Sequence, residues 1–126
     1  MAHQRASFIV AVVEDDEGIL RSLEILLESA DYAVRLFRSG RELLAGGCLE
    51  EIDCLITDID VPGLDGFELL RLVHAARPGL PNILIAGYPD TLEPPLARST
   101  SRFFTKPFDG PELLTAVSEA LREPPE

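Results

Sequence analysis

One lysine occurs in the whole chain, Lys106, and basic residues number 11 against 22 acidic ones. The net charge of −11 and the scattered arginines leave no basic patch. Such a surface repels the phosphate backbone of nucleic acid and anionic membranes, which argues against both as direct partners. Cysteine is almost as scarce: Cys48 and Cys54 are too few and too close in sequence to build a disulfide framework, so free thiols are expected. No apolar run approaches the roughly 18 residues of a membrane span, and the start "MAHQRASFIV" lacks a signal-peptide pattern. These absences make a reducing cytoplasm the expected location.

What remains is sufficient for a core. Apolar residues make up 46% of 126 residues and charged residues 26%, which fits one compact domain spanning 1–126. Short apolar runs alternate with helical patterns. "FIVAVV" has strand length, and Ile19, Leu23, Leu26, Leu27 and Ala30 then share a helical face. "AVRLF" alternates like a half-buried strand. Ser39 followed by Glu42 reads as a capping box for a short helix that stops at Gly46 and Gly47. "DCLITD" is a third strand, and "DGFELLRLVHAARPG" a helix with Phe67, Leu70 and Val73 inward. "NILIAG" and "SRFFT" are further strands, and "DGPELLTAVSEALRE" closes as a helix capped by Asp109 with Pro111 in its first turn.

Strands and helices in alternation predict an α/β fold: a five-stranded, mostly parallel, doubly wound sheet with helices on both faces. The text between the fourth and fifth strands breaks the rhythm. Pro89, Pro94 and Pro95 forbid a regular helix across most of it, so the crossover helix there is expected to be shortened or disrupted.

In open parallel sheets, ligands bind beyond the carboxyl ends of the strands. Three of those ends carry chemistry here. The first strand runs into Glu14–Asp15–Asp16–Glu17, the third ends in Asp58, and the fifth runs into Lys106–Pro107. Carboxylates crowded within a few ångströms cannot all ionise cheaply. A hard divalent cation removes that cost, and an oxygen-rich site that keeps some water suits Mg²⁺. A carboxylate beside a metal and an ammonium has the means to attack phosphorus. Phosphoryl transfer onto Asp58 or a neighbour is the chemistry this set suggests. Asp16 and Glu17 have a plainer task available, opening the first helix.

With "VVEDDE", "LITDIDVPGLDGFELL" and "FFTKPF" in place, the chain resembles the receiver domain of bacterial two-component response regulators, nearest to the FixJ-like group. The resemblance implies a flavodoxin-like sheet of order 2-1-3-4-5 and a phospho-accepting signalling domain, not an enzyme. It implies Asp58 as acceptor of a phosphoryl group from a histidine kinase or phosphotransfer protein, with Lys106 contacting the phosphate. Asp15, Asp58 and the backbone carbonyl of Asp60 would hold Mg²⁺ directly, and Glu14 through water. Pro62, Gly63, Asp65 and Gly66 match the turn after the acceptor and serve as scaffold, and the Lys106–Pro107 bond is commonly cis in relatives. An output protein or an additional effector domain, and a homodimer, are the other partners the resemblance implies.

The chain departs from the family at the end of the fourth strand. A Thr or Ser there normally supplies a hydroxyl to the phosphoryl group, and the register of "ILIAG" puts Ala86 in its place. Its aromatic counterpart in the switch is Phe103, and Asp60 and Tyr88 occupy positions that tune the phosphate's lifetime. The missing hydroxyl motivates an alternative, a receiver-like interaction module that signals without phosphorylation. A remote alternative reads Asp58 and Asp60 as the D-x-D motif of haloacid-dehalogenase-like phosphatases. That motif belongs on the first strand of its fold with an acidic pair far downstream, whereas here it lies on the third strand and Asp90 alone closely follows the end of the fourth.

Overall fold

A computed structural model describes residues 8–58, 66–86 and 102–122, without the side chains of 66, 67 and 102. Five strands, β1 (Ile9–Val13), β2 (Ala33–Phe37), β3 (Cys54–Asp58), β4 (Asn82–Ala86) and β5 (Arg102–Thr105), form one sheet of order β2-β1-β3-β4-β5. Every pairing is parallel. Among the described residues there are four helices: α1 (Glu17–Ser29), α2 (Gly40–Ala45), α3 (Gly66–Ala76) and α4 (Gly110–Arg122). The crossover from β4 to β5, with its expected shortened helix, lies outside the described residues.

The period of two along each strand sorts the core into two layers. Val10, Val12, Cys54, Ile56, Ile83 and Ile85 face α1 and α4, meeting Leu20, Leu23, Leu27, Leu113 and Val117. Ala11, Val13 and Leu55 face the other way, onto Leu43 of α2 and Leu69 and Val73 of α3. β3 is buried at every position because it lies between both layers and has a strand on each side. Both cysteines are buried and neither is in a disulfide, Cys54 in the first layer and Cys48 in the second.

The helix faces differ from the sequence pattern in detail. On α1 the buried stripe is Leu20, Leu23 and Leu27, with Ile19 and Leu26 at its flank. Ala30 is exposed because it is the C-cap, where the chain already turns into Asp31 at φ 71°. On α3, Leu69 joins Leu70 and Val73 in the interior. Leu69 faces the α2 layer and Leu70 the end of β4, so one helix serves two clusters.

Helix starts follow the capping logic. Asp16 has extended backbone angles and its Oδ1 accepts the Ile19 N–H at 3.0 Å. Glu17 sits in the first turn, where negative charge meets the positive end of the helix dipole, and pairs with Arg38 just after β2. Ser39 Oγ accepts from the Glu42 N–H at 3.2 Å, while the Glu42 carboxylate reaches back to the N–H of Arg38, one residue short of a closed box. Asp16→Ala leaves the Ile19 N–H without its acceptor. It is expected to lower unfolding free energy by about 1 kcal/mol, read from urea denaturation at unchanged m-value.

Candidate functional site

The parallel sheet gathers the carboxyl ends of β1, β3 and β5 on one edge. Glu14 follows β1 directly and is 1% exposed; its N–H donates to the Phe37 carbonyl at 3.0 Å, which extends the β1–β2 pairing by one residue. Asp15 is exposed and Asp58, the last residue of β3, is 2% exposed. One oxygen from each of Glu14, Asp15 and Asp58 lies within 4.8 Å of the others. Lys106, one residue beyond β5, places Nζ 2.5 Å from Asp58 Oδ2 and 3.2 Å from Glu14 Oε1. The lysine backbone is fixed as well: its N–H donates to the Ala86 carbonyl at 2.9 Å, and the following peptide bond to Pro107 is cis.

The electrostatics follow from burial. Loss of hydration pushes the Glu14 carboxyl up to about 7. The Asp16 N–H, which Glu14 Oε2 accepts at 3.0 Å, and the ammonium of Lys106 oppose that rise; the hydrogen bond and negative charge of Asp58 reinforce it. Glu14 Oε1 is close enough to Lys106 for an ion pair but out of line for a hydrogen bond, and is left unsatisfied. Burial also works against the charge of Lys106, but the hydrogen bond and charge of Asp58, with help from Glu14, outweigh it and hold the ammonium above its ordinary value.

Among the described residues, two buried carboxylates, an exposed third and a single ammonium make a pocket short of positive charge. An orphaned buried carboxylate oxygen and an all-oxygen donor set fit a hard divalent cation. Beside this pocket a groove of about 720 Å³ runs between α1 and the start of the β5–α4 connection, lined by Gly18, Ile19, Ser22, Lys106, Pro107 and Phe108. It gives the ammonium an approach from solvent. The sequence signal for it is the apolar Pro107–Phe108 pair directly after the lysine.

The residues matched to the switch lie on the other layer. Ala86 is fully buried with Leu70 and Leu84, and Phe103 packs partly buried against them. Asp60 and Tyr88, with Pro62, Gly63 and Asp65, lie outside the described residues.

The model of the response regulator receiver domain matches residues 10–118. The chain belongs to that family. Curated relatives include the transcriptional regulatory protein FixJ of Bradyrhizobium diazoefficiens, 31% identical over 90% of this chain and 57% of its own. FixJ of Azorhizobium caulinodans is 33% identical over 91% of this chain and 56% of its own. The receiver domain thus spans somewhat more than half the length of these regulators. Among solved structures, a CheY-like receiver domain from Methanospirillum hungatei superposes with a TM-score of 0.80 at 28% identity, covering 91% of this chain and 94% of that one. The two-component identification and the flavodoxin-like sheet order expected from the sequence are both borne out. No helix among the described residues is long and apolar enough to cross a membrane.

Proposed function

We propose that this receiver domain accepts a phosphoryl group on Asp58 from a histidine kinase or phosphotransfer protein. The observation that carries the reading is the meeting of the chain's one lysine with Asp58 at 2.5 Å, beside two further carboxylates. In the transfer, an Asp58 carboxylate oxygen bonds to phosphorus as the bond to the donor breaks and the leaving group takes its electron pair. Lys106 turns its N–H groups from the carboxylates to the incoming phosphoryl oxygens. Glu14, Asp15 and Asp58 would hold Mg²⁺, Glu14 through water, and the family resemblance adds the Asp60 carbonyl to that set. Once bound, the ion would supply positive charge where phosphoryl oxygens meet the carboxylates. Glu14 is buried and held by the Asp16 N–H, so it stays in place as the pocket fills. Asp60 and Tyr88 set how long the acyl phosphate survives.

The whole of 1–126 acts as one domain in the cytoplasm, without direct contact to nucleic acid or membrane. Its output passes to a partner protein, to a further effector domain or through a homodimer. The domain turns over no external substrate; it promotes only its own phosphorylation and dephosphorylation.

The reading is tested by intact-mass measurement after incubation with acetyl phosphate. One phosphoryl adduct is expected with Mg²⁺ and almost none in EDTA. Absence of any adduct, from acetyl phosphate and from a kinase alike, would leave the second reading: a module that signals without phosphorylation. Ala86, buried and unable to donate a hydrogen bond, is the observation in its favour.

A further inference from the structure

Ala86 closes β4 at full burial in apolar surroundings: Leu84 on the same strand face, Leu70 from α3, and the ring of Phe103. The register explains this meeting. Leu84 pairs with Phe103 and Ala86 with Thr105, so Phe103 lies diagonally across from Ala86 on the α3 side. Asp58 has the parity of Ile56, whose side chain belongs to the α1–α4 layer. Phosphorylation site and ring therefore belong to opposite faces of the sheet. The ends of β4 and β5 are joined without any side chain at 86, through the Lys106 N–H and the Ala86 carbonyl.

We propose that Phe103 is seated by packing over Ala86 and keeps that seat whether or not Asp58 carries a phosphoryl group. The part about phosphorylation rests on Asp58 being the acceptor; the part about packing does not. A ligand shifts a conformational equilibrium only by the difference in its interaction with the two states. A methyl group at 86 offers a phosphoryl oxygen no hydrogen bond, so no ring position is favoured over another through that residue. Meanwhile the ring occupies space that a larger residue at 86 needs, because interiors are close-packed. The bulk of residue 86, not the charge at Asp58, sets the ring. A partner that senses phosphorylation of this chain reads it at the carboxylate pocket rather than on β5.

Fluorine NMR on protein labelled with 4-fluorophenylalanine tests both parts, with the Phe103 resonance assigned through Phe103→Leu. In wild-type samples whose mass shows the phosphoryl adduct, the Phe103 resonance is expected to stay within its linewidth of the unmodified position. Without phosphorylation, Ala86→Thr is expected to move it, and Ala86→Ser, a smaller addition, to move it less. A clear Phe103 shift on phosphorylation of the wild type overturns the locked seat. A resonance unmoved by both substitutions overturns packing as its cause. If no adduct forms, the acceptor reading fails, while the two substitutions still decide what seats the ring.

Discussion

Asp58→Asn is expected to abolish the phosphoryl adduct entirely while the protein stays folded. The amide has nearly the shape of the carboxylate but no anionic oxygen to attack phosphorus, so the loss is one of chemistry, not of access. Removing an anion from a buried site usually strands its partner. Here the partner is not stranded, because Lys106 retains Glu14 Oε1 at 3.2 Å. The variant also relieves the crowding that helps push the Glu14 carboxyl up to about 7. Metal-free Asp58→Asn is therefore expected to melt at or above the wild-type temperature at pH 8. The stabilisation by added Mg²⁺ should shrink, since one anionic donor is gone and binding to the native state alone is what raises apparent stability. Intact mass and thermal melts with and without Mg²⁺ read both effects. An adduct of undiminished yield would move the acceptor elsewhere, with Asp15 the nearest exposed candidate in the cluster.

The sheet was legible because its signals are local and redundant. Five apolar runs of strand length, each bounded by caps or turns, leave few other ways to bury "FIVAVV" and "DCLITD" on both faces. The site was legible for a related reason: in a parallel sheet, position along the strand already tells which ends share an edge. Glu14, Asp15, Asp58 and Lys106 met as that rule requires. Partner choice within the cluster was less legible. Glu14 reads as a metal-side residue from its place beside Asp15, yet one of its oxygens lies against Lys106, which depends on how far the lysine extends back over the sheet edge. The helix faces show the same limit. Leu20 and Leu69 are buried, and periodicity alone leaves the rotation of α1 and α3 about their axes open.

Lys106→Ala removes the one cation that, among the described residues, faces two buried carboxylates, and its cost is expected to depend steeply on pH. At pH 8 the metal-free pocket then holds the Glu14 and Asp58 carboxylates without their ammonium, and breaking a buried pair costs about 3–5 kcal/mol. Since the lysine side chain is 24% exposed, solvent reduces this to about 2–4 kcal/mol. In the wild type, the Glu14 carboxyl stands at about 7 in the fold against 4.5 as the ordinary value. Between those pH values the native state binds more protons than the unfolded chain, so metal-free stability falls as pH rises. The contribution is fully present below about pH 4.5 and is lost through pH 7, with about 3 kcal/mol as its upper bound. The lysine opposes the rise of Glu14, so its removal carries the falling limb to higher pH. At pH 5.5 a proton on Glu14 replaces the lost ammonium, and the variant is expected to lie within about 1 kcal/mol of wild type. Mg²⁺ competes with that proton, so it should rescue Lys106→Ala strongly at pH 8 and weakly at pH 5.5. Thermal melts across this range with and without Mg²⁺ make the check. Equal destabilisation at both pH values would mean that Lys106 contributes through packing of its stem and not as the counter-ion of the pocket.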